Sequence, residues 1–342
     1  MSGTMKALNA VKVDDMEAPP STRVELVEKD IPQPGPGEVL IRVQASPCNP
    51  SDLMYLMGLY GIPPRYGMAA GFEGCGVVEQ SGGGFFAGRM KGKRVAFVSA
   101  GQGDGCWAEY FVTSAKACMP VDAAIPAEQA ATFIINPFTA FGLLDRAKAL
   151  GTPAVIQNAA ASQVGRLVIR IAKMRGIPVI STVRRQEQKD ALEAIGAEHV
   201  LITTDADFDA SLKSLAKQLK ARVLFDSVSG KDTARVLMAM PGGSTAIVYG
   251  GLSVDRSDPY GGRYPLGALI FAGAKIEGFW LSQALPALGL LRVLSRSREI
   301  QRLLKTGALE TSIRSITAIE DYPAAMDAYA AEMSGGKVIL KF

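Results

Sequence analysis

Two groups of residues in this 342-residue chain have types and spacing suited to chemistry. One is the small-residue run Asn158-Ala159-Ala160-Ala161-Ser162-Gln163-Val164-Gly165, followed a strand later by Arg184-Arg185. The run reads as the turn from a buried strand into an amphipathic helix. A helix start presents N–H groups and the positive end of its dipole, which together attract a pyrophosphate, and Ala160, Ala161 and Ser162 let the backbone approach it. Gly165 is the one glycine left of a G-x-G-x-x-G pattern, so the turn alone reads equally as a plain strand-to-helix connection. The next strand adds information. In dinucleotide folds an acidic residue about 20 positions on binds the ribose 2′-hydroxyl, whereas arginine there accommodates a 2′-phosphate. Arg184-Arg185 stands at that place with no acid at the strand tip, and guanidinium forks match phosphate oxygens. The pair implies NADPH over NADH; an exposed helix start is the alternative reading.

The second group is Tyr60, in Gly58-Leu59-Tyr60-Gly61, with Asn49 upstream. A phenol in a glycine-rich loop can hydrogen-bond a substrate carbonyl and stabilise a developing enolate. Asn49 could orient substrate or nicotinamide. It reads equally as the cap of a helix, with Tyr60 a loop residue at a domain seam. Metal and nucleophile chemistry fit poorly. His199 is the sole histidine, and a catalytic zinc normally takes three Cys, His or carboxylate ligands. Cys48 and Glu73 are available, but Phe72 before Glu73 cannot ligate. No serine sits in a G-x-S-x-G elbow. No metal is expected.

The elements that must position these residues fall into two sets. The first third shows short β-type runs at Met5–Val13, Arg23–Lys29, Glu38–Ala45, Cys75–Gln80, Arg94–Val98 and Trp107–Val112, with one helix at Ser51–Met57. That pattern predicts a small barrel or sandwich. From Pro126, after helical segments at Ala127–Phe133 and Pro137–Ala149, strands and helices alternate, as in a doubly wound parallel sheet. The tail predicts a helix over Leu285–Lys305, a strand, a helix at Pro323–Glu332 and a last strand from Lys337, returning to the first domain. The expected division is 1–125 with 281–342, and 126–280.

Composition narrows the class. A net charge of +4 is small, and the cationic runs Arg89–Arg94 and Arg292–Arg298 lack an aromatic platform, which argues against nucleic acid. The four cysteines form no C-x-x-C pair and predict reduced thiols. The N-terminus lacks a secretory pattern, and Ala284–Leu291 is too short to span a bilayer, which takes about 20 helical residues. A cytoplasmic protein without membrane attachment is the expectation.

Taken together, these residues resemble the medium-chain dehydrogenase/reductase superfamily in its zinc-independent, quinone oxidoreductase-like branch. The resemblance rests on Met5-Lys6-Ala7-Leu8, Asn49-Pro50-Ser51-Asp52, Gly71-Phe72-Glu73-Gly74 and Gly336-Lys337-Val338-Ile339-Leu340. Within the branch the chain is most similar to mitochondrial-type trans-2-enoyl thioester reductases. The matching stretches are Tyr60-Gly61, Asn136–Ala140, Val155–Ala159, Gly196–Val200, Tyr249-Gly250-Gly251 and Gly278–Gln283. The resemblance implies an α/β fold with a GroES-like β-barrel catalytic domain around a Rossmann domain, a cleft between them and a homodimer. It implies Tyr60 as catalytic tyrosine with Asn49 beside it. Asn158 to Val164, Arg184 and Tyr249 to Gly251 would line NADPH, with Phe279 and Trp280 by the nicotinamide and acyl pocket. The implied reaction is NADPH-dependent reduction of an α,β-unsaturated carbonyl compound, with a quinone as rival small-molecule substrate and non-catalytic NADPH binding as a further alternative. Leu59, Arg65-Tyr66, Gln163 and Ala284–Leu288 depart from the family pattern.

Overall fold

A computed structural model describes residues 3–99, 103–253 and 265–342. The chain divides into two compact units, Met1–Ile135 with Ser295–Phe342, and Asn136–Leu294.

The first unit begins with β1 (Thr4–Ala10) and β2 (Val24–Asp30), an antiparallel ribbon with Thr4 opposite Asp30. β3 (Glu38–Pro47) is central. It pairs antiparallel with β4 (Glu73–Ser81) and with β6 (Tyr110–Ser114), while β5 (Arg94–Val98) joins β4 to β7 (Cys118–Pro120). Val39, Leu40, Ile41, Val43 and Ala45 of β3 are all buried, because the strand is covered on both faces. Register shifts at Leu40/Ile41 and Val43/Ala45 bend β3 as bulges do. Isolated bridges Ala7↔Ala108 and Asn9↔Ala69 fasten the ribbon to the rest.

Trp107 was expected in a strand, but β6 starts at Tyr110. The indole is instead fully buried, and its Nε1 donates to the Pro47 carbonyl at 3.2 Å. Gly71 lies under that ring at φ +93°, where a Cβ would fall 2.3 Å from the indole Cδ1. Both the backbone angle and the close approach require glycine there. The helix Pro50–Leu56 matches expectation: Asn49 is extended, Pro50 opens the first turn, and Asp52 accepts the Asn49 N–H at 2.7 Å. A helical turn at Phe85–Gly88 was not anticipated.

The second unit opens with the helix Ile135–Ala149, whose first residue belongs to the first unit. A sheet follows with β8 (Val155–Gln157), β9 (Val179–Val183), β10 (His199–Ile202), β11 (Val223–Asp226), β12 (Thr245–Val248) and β13 (Lys275–Gly278). Its order is β10-β9-β8-β11-β12-β13 and every pairing is parallel. This is the 3-2-1-4-5-6 order of dinucleotide-binding sheets, with the switch point between β8 and β11. Helices Gln163–Met174, Gln186–Glu193, Phe208–Leu219, Lys231–Ala239 and Leu266–Phe271 connect the strands. Leu167, Val168, Ile171 and Ala172 are on the buried face of the first of these, and Val164 is half-buried. β13 ends the sheet, with Ile276 exposed.

The chain then returns to the first unit, where β14 (Ile313–Ala318) lies parallel to β15 (Lys337–Lys341), and β15 lies antiparallel to β3. The helix expected over Leu285–Lys305 is two helices, Leu281–Ala287 and Leu290–Lys305. Pro286 removes a backbone donor and Gly289 takes φ +74°, which together end one helix and start the next. The four cysteines are free and buried. Among the described residues no helix is long and apolar enough to cross a membrane.

Candidate functional site

In the second unit the candidate cofactor residues all follow C-terminal ends of sheet strands, where dinucleotides bind in open α/β sheets. After β8 the chain turns through Asn158–Ser162 into the helix Gln163–Met174. Ser162 caps that helix by accepting the Gly165 N–H at 3.2 Å, and its own N–H donates to the Ala159 carbonyl at 2.9 Å. A Cβ on Gly165 would fall 2.4 Å from the Ala160 oxygen, so only glycine lets the helix start settle onto the loop. Gln163, the first helical residue, is buried, and Val164 is half-buried.

Ala159 occupies the left-handed region at φ +43°. There an L side chain costs about 1–2 kcal/mol, of which glycine would return part through its looser unfolded chain. Ala159→Gly is expected to raise stability by about 0.5–1 kcal/mol, a Tm rise of roughly 1–4 °C. Thermal unfolding measures this; a lowered Tm would show that the turn carries no strain.

Asn158, expected to line the cofactor, has its side chain committed to the protein. Its Nδ2 donates to Asp226 Oδ1 and its Oδ1 accepts the Ser227 N–H at 2.8 Å. Asp226 also accepts the N–H groups of Val228 and Ser229 at 3.0 and 2.8 Å and the Thr233 hydroxyl. Asn158 thus ties the ends of β8 and β11 at the switch point and shapes the crevice. Burial pushes the Tyr249 phenol up to about 12, with the Ser227 and Ser162 side chains acting in the opposite direction. Gly250 offers its carbonyl to the Ser229 hydroxyl at 2.7 Å, and Gly251 follows it. The loops after β8, β11 and β12 are therefore pinned to one another.

Arg184 and Arg185 are exposed beyond β9. The Arg184 N–H donates to Gln188 Oε1 at 3.1 Å, and Arg185 Nε lies 3.9 Å from Glu187 Oε2. Both residues follow the strand at whose end dinucleotide folds receive a 2′-phosphate. The sequence reading passed over Arg166. Its Nε donates to the Ala161 carbonyl at 3.0 Å, and burial, then Arg170, lower its pKa. A cation near the positive end of a helix dipole is disfavoured unless an anion joins it, and that position was the available signal. After β13, the Phe279 ring packs on Gly142, where a Cβ would come within 2.7 Å, and Trp280 caps the helix Leu281–Ala287 through its carbonyl. This cradle of small residues, helix start and arginines fits a phosphorylated dinucleotide.

In the first unit Tyr60 follows the helix Pro50–Leu56. Its ring leans on Phe72 with centroids 5.0 Å apart, and Tyr55 meets the same Phe72 edge-on at 5.2 Å. The Tyr55 hydroxyl accepts the Arg65 N–H at 2.7 Å, which ties down the loop carrying Tyr60. Phe72 is therefore the surface against which the candidate phenol is placed, and Asp52 Oδ1 fixes its N–H at 2.9 Å.

Asn49 is buried, and its side-chain atoms meet protein groups. Nδ2 donates to Glu73 Oε1 at 2.9 Å, and Oδ1 accepts from Lys337. Glu73 Oε2 accepts the Ile135 N–H at 2.9 Å. Burial pushes Asp52 up to about 7 and raises Glu73, while it lowers Lys337. Sequence reading named Asn49 but missed Asp52 and Lys337 as its partners, because charges at positions 52, 73 and 337 converge only through the pairing of β15 with β3. Among the described residues no group of three His, Cys, Asp or Glu side chains could hold a metal ion.

Residues 35–123 match the alcohol dehydrogenase GroES-like domain, and residues 164–295 match the family described as zinc-binding dehydrogenase. The mitochondrial enoyl-[acyl-carrier-protein] reductase of Bos taurus is 31% identical over 331 residues, covering 94% of this chain and 85% of that protein. Its Xenopus tropicalis counterpart is 35% identical over 266 residues, covering 76% and 73%. A Mesorhizobium loti structure assigned as an NADPH:quinone reductase superposes with a TM-score of 0.90 at 34% identity, covering 100% of this chain and 99% of that one. The barrel strands, the six-stranded parallel sheet and these relatives agree: the chain belongs to the medium-chain dehydrogenase/reductase family, in its enoyl reductase and quinone reductase-like branch.

Proposed function

We propose that this protein is an NADPH-dependent, metal-independent reductase of α,β-unsaturated carbonyl compounds, with 2-enoyl thioesters as its substrate class. The carrying observation is Tyr60, a phenol seated on Phe72 in a loop clamped by Tyr55. Relatives over 30% identical across most of the chain are enoyl reductases, which supports the same class.

The cofactor half of the reading rests on Gly165, the capped helix start and Arg184-Arg185. Backbone N–H groups at the helix start would hold the pyrophosphate, and the two guanidinium groups, with Arg166 nearer the turn, would meet the added phosphate charge. A bound nicotinamide supplies hydride to the β-carbon of the double bond. Tyr60 donates a hydrogen bond to the thioester carbonyl and stabilises the negative charge that collects on its oxygen. It then helps deliver a proton to the α-carbon, so that one hydride and one proton saturate the bond. Asn49 acts from within the protein, holding Glu73 and hence the Phe72-Glu73 backbone.

A quinone is the second reading, favoured by the structural match to the Mesorhizobium loti protein. Steady-state NADPH oxidation with crotonyl thioester, a simple enone and a benzoquinone separates them. The proposal expects the thioester to give the highest kcat/KM. A benzoquinone reduced with the thioester inert would replace it, and NADPH binding without oxidation of any partner would leave a binding protein.

A further inference from the structure

Lys337 opens β15 and is 3% exposed, an uncommon place for an ammonium group. Its three N–H donors meet three acceptors: the Cys48 carbonyl at 3.2 Å, the Tyr329 hydroxyl at 3.4 Å and Asn49 Oδ1. The Tyr329 ring also faces the ammonium, 5.6 Å from Nζ to the centroid. Lys337 reaches Glu73 through Asn49. Lysine only donates and a carboxylate only accepts, so the cation and anion fix which way the Asn49 amide points. That amide is an adaptor between two buried charges.

The chain of contacts continues toward the phenol. Asn49 N–H is held by Asp52 Oδ2, and Asp52 Oδ1 holds the Phe72 N–H. Glu73, the next residue, is held by Asn49 and Ile135. The Phe72-Glu73 pair is thereby gripped on both sides, and Tyr55 and Tyr60 both rest on the Phe72 ring.

We propose that Lys337 is a positioning residue of the reductase: by orienting Asn49 and balancing Glu73, it holds the Phe72 platform and so the placement of Tyr60. The proposal rests on the reading of Tyr60 as the group that meets the substrate carbonyl. The groups facing Asp52 are Lys337 from β15, Glu73 from β4, the Cys48 and Cys106 thiols, and the Tyr322 and Tyr329 phenols from the helix Tyr322–Ala331. Of these, Lys337 is the cation, and it opposes protonation of both carboxylates. As pH falls through about 7, Asp52 takes up a proton and gives up part of its capacity to accept the two N–H groups. Turnover should therefore show an acid limb that Lys337 helps keep low.

The test compares Lys337→Met and the double variant Lys337→Met/Glu73→Gln with wild type. Lys337→Met should lower kcat on crotonyl thioester by about 10–100-fold, the scale of a small misplacement of a reacting group. KM for NADPH should change less than about twofold, and the acid limb of kcat should move to higher pH, as expected when a nearby cation is lost. The double variant, which leaves Asp52 without the neighbouring Glu73 charge, should keep the low kcat with a smaller shift of the limb. It serves if the single variant does not fold. Wild-type kcat with an unmoved limb in a folded variant would overturn the proposal, as would a lowered kcat with the limb in place.

Amide hydrogen exchange at pH 8 gives a readout independent of turnover. Peptides spanning 49–73 should exchange faster in the variants, with those of 155–250 unchanged. Unchanged protection over 49–73 would overturn the positioning role. If wild type is inert toward the thioester, the Tyr60 reading fails, and the exchange data still decide whether Lys337 organises this segment.

Discussion

Tyr60→Phe is expected to lower kcat on crotonyl thioester by about 10²-fold or more, the scale for removing a positioned proton donor or an oxyanion-hole hydrogen bond. The substitution deletes one oxygen and keeps the ring on Phe72, where it sits 5.0 Å from its neighbour. Packing of the cluster with Leu53, Tyr55 and Phe72 is therefore preserved. NADPH affinity, which the proposed function assigns to residues of the other unit, should change less than about twofold, since only an interaction made to the reacting carbonyl is lost. Steady-state kinetics and a fluorescence titration of NADPH together read both quantities. A Phe variant with full turnover would remove Tyr60 from the mechanism, and one that loses cofactor affinity equally would show that the substitution damages the fold.

Arg184→Ala is expected to act on cofactor affinity. A charge-assisted hydrogen bond contributes about 1.5–3 kcal/mol, so NADPH affinity should fall by about 10- to 100-fold while NADH affinity stays near its wild-type value. The Arg184 side chain is exposed beyond β9, and it is the backbone N–H of the residue that donates to Gln188. Replacing the side chain should therefore leave the fold intact. Arg185 beside it and Arg166 at the helix start keep part of the positive field, which is why discrimination narrows rather than reverses. An unchanged ratio of NADPH to NADH affinity would contradict the assignment of the 2′-phosphate to this strand end.

Much of the second unit was legible because local signals and global topology agree there. The alternation of strands and helices after Pro126 forces a parallel sheet, and strand His199–Ile202 and helix Phe208–Leu219 follow it. The turn at Asn158–Gly165 was legible as a phosphate loop, but the role of Asn158 was not. Its amide bonds Asp226, which comes from a strand three places later in the chain order. Periodicity carries no information about such pairings. The same holds in the first unit. Asn49 was visible as a helix start, but its bonds to Glu73 and Lys337 depend on β15 returning beside β3. Trp107 looked like a strand residue because it is large and apolar, and it is the indole hydrogen bond to Pro47 and the contact over Gly71 that place it outside one. The break at Gly289 had a local signal in Pro286 and Gly289, which the strong apolar run around them obscured.

The proposed function stands on one step, the passage of hydride from NADPH to the β-carbon of a conjugated carbonyl compound. The most direct measurement uses NADPH deuterated at the transferable position of the nicotinamide, incubated with the protein and crotonyl thioester in ordinary water, with the product analysed by mass spectrometry and NMR. The account predicts a saturated butyryl thioester carrying deuterium at the β-carbon and solvent hydrogen at the α-carbon. An unreduced thioester, or a product whose deuterium lies anywhere other than the β-carbon, would contradict it.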